Sequence, residues 1–422
     1  MSTRSTGDAD GASLEEKALS RLRQNRRAGY DPYYKTRYEY SIPSPGRYRW
    51  QWMWDSCFHA IALARLDPEM AKREISTLLA SQRADGFIGH IVYWGRRGAI
   101  LSAVYMQSRF GEWRRRHSAM LQPPVLAQAV EAVYRATGDK EFLNSVLPGT
   151  IAYYRWIERE RDPDGEGLFS IISPYECGLD NSPVFDAPLG LSENPGRLAL
   201  LWANRRLDWH NLLRGNFQFS ELRKLDRFIV IDPFMNAVYA DGLRAIERLL
   251  GEVGELGQGS HTAMRAGKVE RAVIESLWDD ERGQFIYLSG SRRQRLTTLT
   301  AGSIMPLIMH SLPRQKVERL VREHLLNENE FWTRLPVPSL ARCDPAYDPV
   351  GERSIWRGPV CMNLNWLLAR GLRAHDKDDI ADEIARRSRE AALNDFREFY
   401  SPETGRGMRG AEFGWATVTV DM

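Results

Sequence analysis

Cysteine is scarce in this chain: four in 422 residues. Cys57, Cys177, Cys343 and Cys361 lie far apart, with no C-x-x-C pair and no histidine at zinc-finger spacing, so neither a disulfide framework nor a structural zinc site is indicated. His59, His90, His117, His210 and His310 form no H-E-x-x-H or other paired spacing, and no phosphate-cradling glycine loop follows a strand. No metal or nucleotide cofactor is expected. Long apolar runs are missing too, and Met1 to Ser13 is small and polar, so neither a membrane span nor a secretory leader is predicted and a reducing cytoplasm is the expected compartment. Nor does one sign of charge dominate: 58 basic residues against 55 acidic leave +3, too little for a nucleic-acid footprint. The brief basic clusters Arg96-Arg97 and Arg114-Arg115-Arg116 read as a solvated face or, secondarily, as a site for an anionic substrate.

What the chain has is helical period. After an expected flexible tail over residues 1–20, within which a basic amphipathic pattern sets in at Leu14 and runs to Arg27, a Tyr/Pro-rich stretch from Tyr30 to Tyr48 reads as irregular. Helical patterns then recur at Asp55–Leu66, Pro68–Gln82, Pro124–Thr137, Lys140–Glu160, Pro233–Leu250, His261–Trp278, Thr297–His310, Arg314–Leu326, Ile355–Ala374 and Asp378–Phe396. Gly, Pro and Asp turns join several of them as pairs, as at Leu66-Asp67-Pro68. No fixed repeat period favours an open solenoid, so a closed array of helical hairpins is expected, forming one domain over residues 21–422. The stretches Asp85–Gln122, Asp162–Asp232 and Asn327–Arg353 are long, aromatic and poor in helical period, and long ordered loops usually carry function.

Ser173 to Pro183, containing Glu176, Gly178 and Asp180, is an acidic loop in which either carboxyl could act as a general acid. Its plainer reading is an Asx turn at Asp180-Asn181. Glu398 closes the last predicted helix, where a solvated glutamate near a C-cap competes with a catalytic base. Aromatics gather at Trp50-Gln51-Trp52-Met53-Trp54-Asp55, Phe87, Tyr93-Trp94, Phe331-Trp332, Trp356 and Phe413-Gly414-Trp415. Large rings usually serve a core, but several of these stand beside polar residues in Gly- and Pro-rich loops, as in a wet sugar pocket.

Five segments in order resemble glycoside hydrolase family 63: Trp52-Met53-Trp54-Asp55-Ser56, Gln82 to Ile88, Ser173 to Pro183, Ile355-Trp356-Arg357-Gly358-Pro359-Val360, and Glu398 to Gly405. The compact length and the run from Phe331-Trp332 through Val337-Pro338-Ser339 to Asp344-Pro345 are most similar to its bacterial mannosylglycerate and glucosylglycerate hydrolases. The resemblance implies an all-α (α/α)6 toroid whose insertion near 162–232 caps the site, and hydrolysis with inversion. It implies Asp180 as acid, in preference to Glu176, and Glu398 as base. The sugar-subsite positions it implies are Trp54, Asp55, Tyr93, Trp94, Gln122, Trp356 and Trp415, with Asp55 bonding sugar hydroxyls. Two departures stand out: Cys361, where a tryptophan is usual and whose smaller side chain puts an aromatic wall in question, and Gly89, where proline is usual. An arginine of the run Arg205-Arg206 to Arg214 is expected near a glycerate carboxylate. The expected partners are a small glycoside and, in a homo-oligomer, further copies of the chain. The rival readings are an α-glucosidase acting on a neutral trehalose- or kojibiose-like disaccharide, and a non-catalytic sugar-binding helical toroid.

Overall fold

The computed structural model describes residues 13–46, 48–95, 116–352 and 354–422; the clusters Arg96-Arg97 and Arg114-Arg115 lie outside them. Helices dominate, and the strands are short pieces of two to six residues.

Burial sorts the helices. In Met53–Leu66 every residue from Met53 to Ala64 is buried, and Pro233–Glu252 and Met362–Arg373 are nearly as enclosed. A helix buried on all sides has no solvent face and belongs to an inner layer. Pro68–Ala80, Lys140–Arg161, Leu256–Ser276 and Asp378–Asn394 bury one stripe and expose the other. Each of these packs as a hairpin against an inner neighbour: on Met53–Leu66, Leu126–Thr137, Pro233–Glu252 and Met362–Arg373 respectively. The inner elements touch in succession. Met53–Leu66 packs on Leu126–Thr137, which packs on Pro233–Glu252; that helix meets the 3-10 turn Met305–Ile308, which meets Met362–Arg373. The 3-10 segment Gly414–Asp421 then packs on both Met362–Arg373 and Met53–Leu66. Buried Asp232 caps Pro233–Glu252 by accepting from the amides of Phe234 and Met235, with Pro233 at the first turn.

Several boundaries depart from the sequence expectation. Ser13 and Glu16 form a capping box that starts a helix over Leu14–Asn25, so Ser13 to Ser20 is not a flexible tail; the rest of that expected tail lies outside the described residues. This helix buries Ala18 and Leu22 and fastens to the far end of the chain: Arg21 donates to Glu412 at 2.9 Å and Asn25 Nδ2 to the Glu412 carbonyl at 3.0 Å. The stretch 26–41, expected to be part helix and part irregular, is an antiparallel hairpin of Arg26–Asp31 and Thr36–Ser41. Pro306 confines the predicted Thr297–His310 helix to Ala301–Ile304 and a 3-10 turn, because proline supplies no amide to an α-helix interior. Gly358-Pro359 likewise delays the helix expected from Ile355 until Met362. The largest miss is Arg197–Gly215, a 19-residue helix inside the stretch read as poor in period. It buries Leu200, Ala203 and Leu207 yet exposes Leu198, Trp202, Trp209 and Leu213, so apolar residues on both faces erase the contrast that marks an amphipathic helix.

Candidate active site

A cleft of about 430 Å³ is lined by residues from four of the five ordered segments; the Gln82–Ile88 segment and the run from Phe331 to Pro345 contribute none. Asp55, Asp180 and Glu398 all face it, with Trp54, Gln122, Trp356 and Trp415.

Asp180 arrives on a backbone built for close packing. After the strand Ser170–Ile171, Ser173 accepts from the Tyr175 amide and starts the 3-10 turn Pro174–Glu176. Gly178 then turns at φ +72°, and a Cβ there would lie 2.5 Å from the Trp54 ring, so the loop rests on that indole only because position 178 has no side chain. The Leu179 carbonyl accepts from the Ser182 amide, closing the turn before Pro183 through the backbone. Asp180 is half-buried at the cleft.

Glu398 sits not at a helix end, as expected, but on the strand Arg397–Tyr400, after the last helix has stopped at Asn394. Its hairpin with Gly407–Ala411 changes register between Arg397 and Phe399, an irregularity of the kind that re-aims a side chain. Glu398 is 5% exposed. Tyr48 donates its hydroxyl to Oε1 at 2.7 Å, and the Gly410 amide donates to Oε2 at 3.3 Å. The Glu398 carbonyl accepts from Trp415 Nε1 at 3.1 Å, which ties Glu398 to the cleft wall.

Asp55 occupies the first turn of Met53–Leu66 and is 2% exposed. Burial, reinforced by the charges of Glu398 and Glu74, pushes its carboxyl well above the usual range. Gln122 accepts from the Trp54 amide at 3.0 Å. Trp54 and Trp415 meet edge to face at 5.4 Å, and Trp356 packs on Phe399 at 4.9 Å and near Trp415 at 6.4 Å. Cys361 is fully buried outside the cleft lining, its thiol beside the Glu398 carbonyl, so the small residue at this position takes no ring from the observed wall. The departure at Gly89 also has a steric reason, since a Cβ there would fall 2.4 Å from the Ser118 carbonyl oxygen.

Tyr93 and Trp94 are not brought to the cleft. Trp94 is buried, donates to Gln51 Oε1 at 2.7 Å and stacks on Tyr38, while Tyr93 lies behind Trp50, ring to ring at 5.5 Å. In their place the cleft takes Tyr48, Trp50, Trp52, His90, Tyr175 and Arg205. Trp50 and Trp52 had a local signal, since alternation along the short strand Gln51–Trp52 puts them on one face and Gln51 on the other. For Tyr48 the only signal was its place in a Tyr/Pro-rich stretch. His90 Nδ1 lies 2.5 Å from Ser118 Oγ, which itself accepts from the Ile91 amide, so the ring is held at the cleft by hydrogen bonding. Arg205 comes from the Arg197–Gly215 helix and supplies a guanidinium to a cleft that otherwise carries three carboxyls.

Glu176 has a different occupation. It is fully buried, held by Arg161 through Nη1 to Oε2 at 2.9 Å and Nη2 to Oε1 at 2.5 Å, and accepts from the amides of Leu121 and Ile172 at 2.9 and 2.8 Å. Four donors on its two oxygens make it an anchor for the acid loop, with no contact to the cleft. Among the described residues no cluster of His, Cys, Asp and Glu could hold a metal ion, and no helix is long and apolar enough to cross a membrane.

The chain is similar to known proteins over nearly its whole length. The mannosylglycerate hydrolase MGH1-like glycoside hydrolase domain matches residues 48–416. A mannosylglycerate hydrolase of Thermus thermophilus is 29% identical over 95% of this chain and 98% of its own. A glucosylglycerate hydrolase of Mycolicibacterium hassiacum is 25% identical over 87% of this chain and 90% of its own. The crystal structure of a family 63 mannosylglycerate hydrolase from Thermus thermophilus, in complex with Tris and D-glycerate, superimposes with a TM-score of 0.83 at 27% identity, covering 96% of this chain and 98% of that one. With its helical architecture and its cleft of carboxyls and indoles, the chain belongs to the mannosylglycerate hydrolase MGH1-like glycoside hydrolase family and is a glycoside hydrolase.

Proposed function

We propose that the protein hydrolyses a small α-glycoside of glycerate, glucosylglycerate or mannosylglycerate, with inversion at the anomeric carbon. The observation that carries this reading is the composition of one cleft: two separately held carboxyls, Asp180 and Glu398, between indole walls, with Arg205 among the lining residues. A volume of about 430 Å³ suits a glycoside of this size. In this mechanism Asp180 protonates the glycosidic oxygen as the bond to the anomeric carbon breaks. Glu398, oriented by Tyr48 and Gly410, takes a proton from the water that attacks the opposite face. Asp55, beside the base, bonds sugar hydroxyls. Arg205 suits the aglycone carboxylate, which a planar guanidinium can grip with two parallel hydrogen bonds.

The architecture fits a single (α/α)6 toroid: the succession of inner contacts from Met53–Leu66 round to Gly414–Asp421 and back supports closure, and Leu14–Asn25 packs on that last element. The insertion near 162–232 acts as a cap, because its Arg197–Gly215 helix sends Leu201 and Arg205 to the cleft.

Two measurements test this reading. Proton NMR of the first-formed sugar should show the β anomer; an initial α product would exclude inversion. A kcat/KM panel of glucosylglycerate, mannosylglycerate, glucosylglycerol and neutral disaccharides should favour the glycerates. Preference for trehalose or kojibiose would reassign the substrate, and binding without turnover across the panel would remove catalysis.

A further inference from the structure

Among the described residues Arg357, the neighbour of the cleft residue Trp356, is one of the largest side chains that is fully buried. Its Nη2 donates to Asp186 Oδ1 at 2.6 Å, while Nε and Nη1 have no acceptor. Burying a guanidinium carries a desolvation cost that apolar side chains of similar volume avoid. The arginine therefore needs a reason beyond filling space, and its placement supplies one.

Asp186 ends the 3-10 turn Pro183–Phe185, six residues after Asp180 in the same acid loop, and its carbonyl accepts from the Leu191 amide. Asp186 is itself largely buried. Arg357 has little freedom on its own side. Its carbonyl accepts from the Asp348 amide at 2.6 Å, a Cβ at Gly358 would lie 2.9 Å from the Asp348 backbone, and Trp356 is held at φ +66°, a region that L side chains rarely adopt. The backbone contact to Asp348 and the left-handed turn at Trp356 place the guanidinium, and the loop bearing Asp180 and Asp186 is clipped to it.

We propose that Arg357 is a positioning residue for proton donation: its ion pair with Asp186 locks the acid loop against the segment bearing Trp356 and so sets the reach of Asp180 to the glycosidic oxygen. This rests on Asp180 being the acid. The proposal concerns leaving-group protonation alone, so it separates from a role in folding or in the sugar wall by choice of substrate. A glycosyl fluoride carries a leaving group that departs with far less help from a carboxylic acid than the hydroxyl of glycerate needs.

The experiment compares wild type, Arg357→Met, Arg357→Lys and Asp186→Asn on the glycerate glycoside and on the corresponding α-glycosyl fluoride, with activities referred to the folded fraction from circular dichroism. For Arg357→Met the glycoside kcat is expected to fall about 100-fold with KM within about threefold, and the fluoride kcat by less than about fivefold, as for a misplaced general acid. Lysine, which keeps the charge, should restore part of the loss. If Arg357→Met fails to fold, the near-isosteric Asp186→Asn carries the test, with the same selectivity at about tenfold. Equal losses on both substrates, or no loss of kcat on the glycoside, would overturn the proposal. Asp180→Asn on the same pair keeps the two readings apart: if it loses fluoride and glycoside activity alike, the acid assignment fails, whatever Arg357 does.

Discussion

Replacing Glu176 by glutamine preserves its size and removes the charge that Arg161 faces. In the wild type each carboxylate oxygen accepts twice: Oε1 from Arg161 and the Leu121 amide, Oε2 from Arg161 and the Ile172 amide. Glutamine turns one oxygen into a donor, so two of the four donors lose their acceptor and the Arg161 charge, 2% exposed, is left without its counter-ion. Breaking a buried pair in this way costs about 3–5 kcal/mol. The Asp180→Asn change touches a half-buried residue and should shift stability by less than about 1 kcal/mol. Activity should behave the other way round. Glu176→Gln should lose less than about tenfold per folded molecule, whereas loss of a general acid costs about 10²–10⁴-fold. Urea unfolding followed by circular dichroism, with turnover measured on the same preparations, gives both axes. A folded Glu176→Gln enzyme without turnover, or an Asp180→Asn enzyme near wild-type rate, would refute the division of labour between these two neighbours.

Asp232 gives a pH-dependent case: burial pushes its carboxyl up to about 7 in the folded protein, against about 3.9 when exposed. Between those values the folded form keeps a proton that the unfolded form has released, so stability falls as pH rises from about 4 to about 7, by roughly 4 kcal/mol in all. Asp232→Asn keeps an acceptor for the Phe234 and Met235 amides without that loss, so its Tm should exceed wild type by more at pH 8 than at pH 5, and equal differences would refute the account. Tyr48→Phe removes one charge-assisted hydrogen bond from Glu398 and should lower kcat about 10–100-fold; an unchanged kcat would show that the phenol does not orient the base. Gly178→Ala drives a methyl group towards the Trp54 ring at a positive φ, and should raise KM and reduce kcat while costing about 1–3 kcal/mol, read by kinetics and thermal melts. Arg205→Met should raise KM for a glycerate glycoside selectively, and an equal rise for glucosylglycerol would remove the carboxylate role.

Much of the site was legible because its chemistry lies in short local runs. Trp54-Asp55, Asp180 and Trp356 stand in compact motifs whose order along the chain pointed to the family, and all of them line the cleft. What local reading missed is set by contacts between distant segments. Tyr48 carries no motif and matters only because the fold sets it beside Glu398. Tyr93 and Trp94 look like sugar platforms in sequence, yet Gln51 and Tyr38 claim Trp94 for the core. The resemblance preferred Asp180 to Glu176, and the Arg161 pair that occupies Glu176 away from the cleft is a contact local sequence could not show. Most of the helical hairpins were readable from period, and misses among the helices fall where proline interrupts the pattern or, in Arg197–Gly215, where a helix is apolar on two faces.

The fastening of Leu14–Asn25 to the far end of the chain bears on the order in which activity can appear. The Tyr48–Glu398 hydrogen bond joins residues 350 apart, and the Arg21–Glu412 bond residues 391 apart. Contacts of such long range form late, after the segments between them have ordered. The Glu398 hairpin and Trp415 follow the Asp180 loop along the chain and are held by residues that precede it, so a half-folded chain can contain that loop before the Tyr48–Glu398 hydrogen bond forms. During refolding, hydrolysis should therefore return with the final long-range closure and lag behind recovery of helix content.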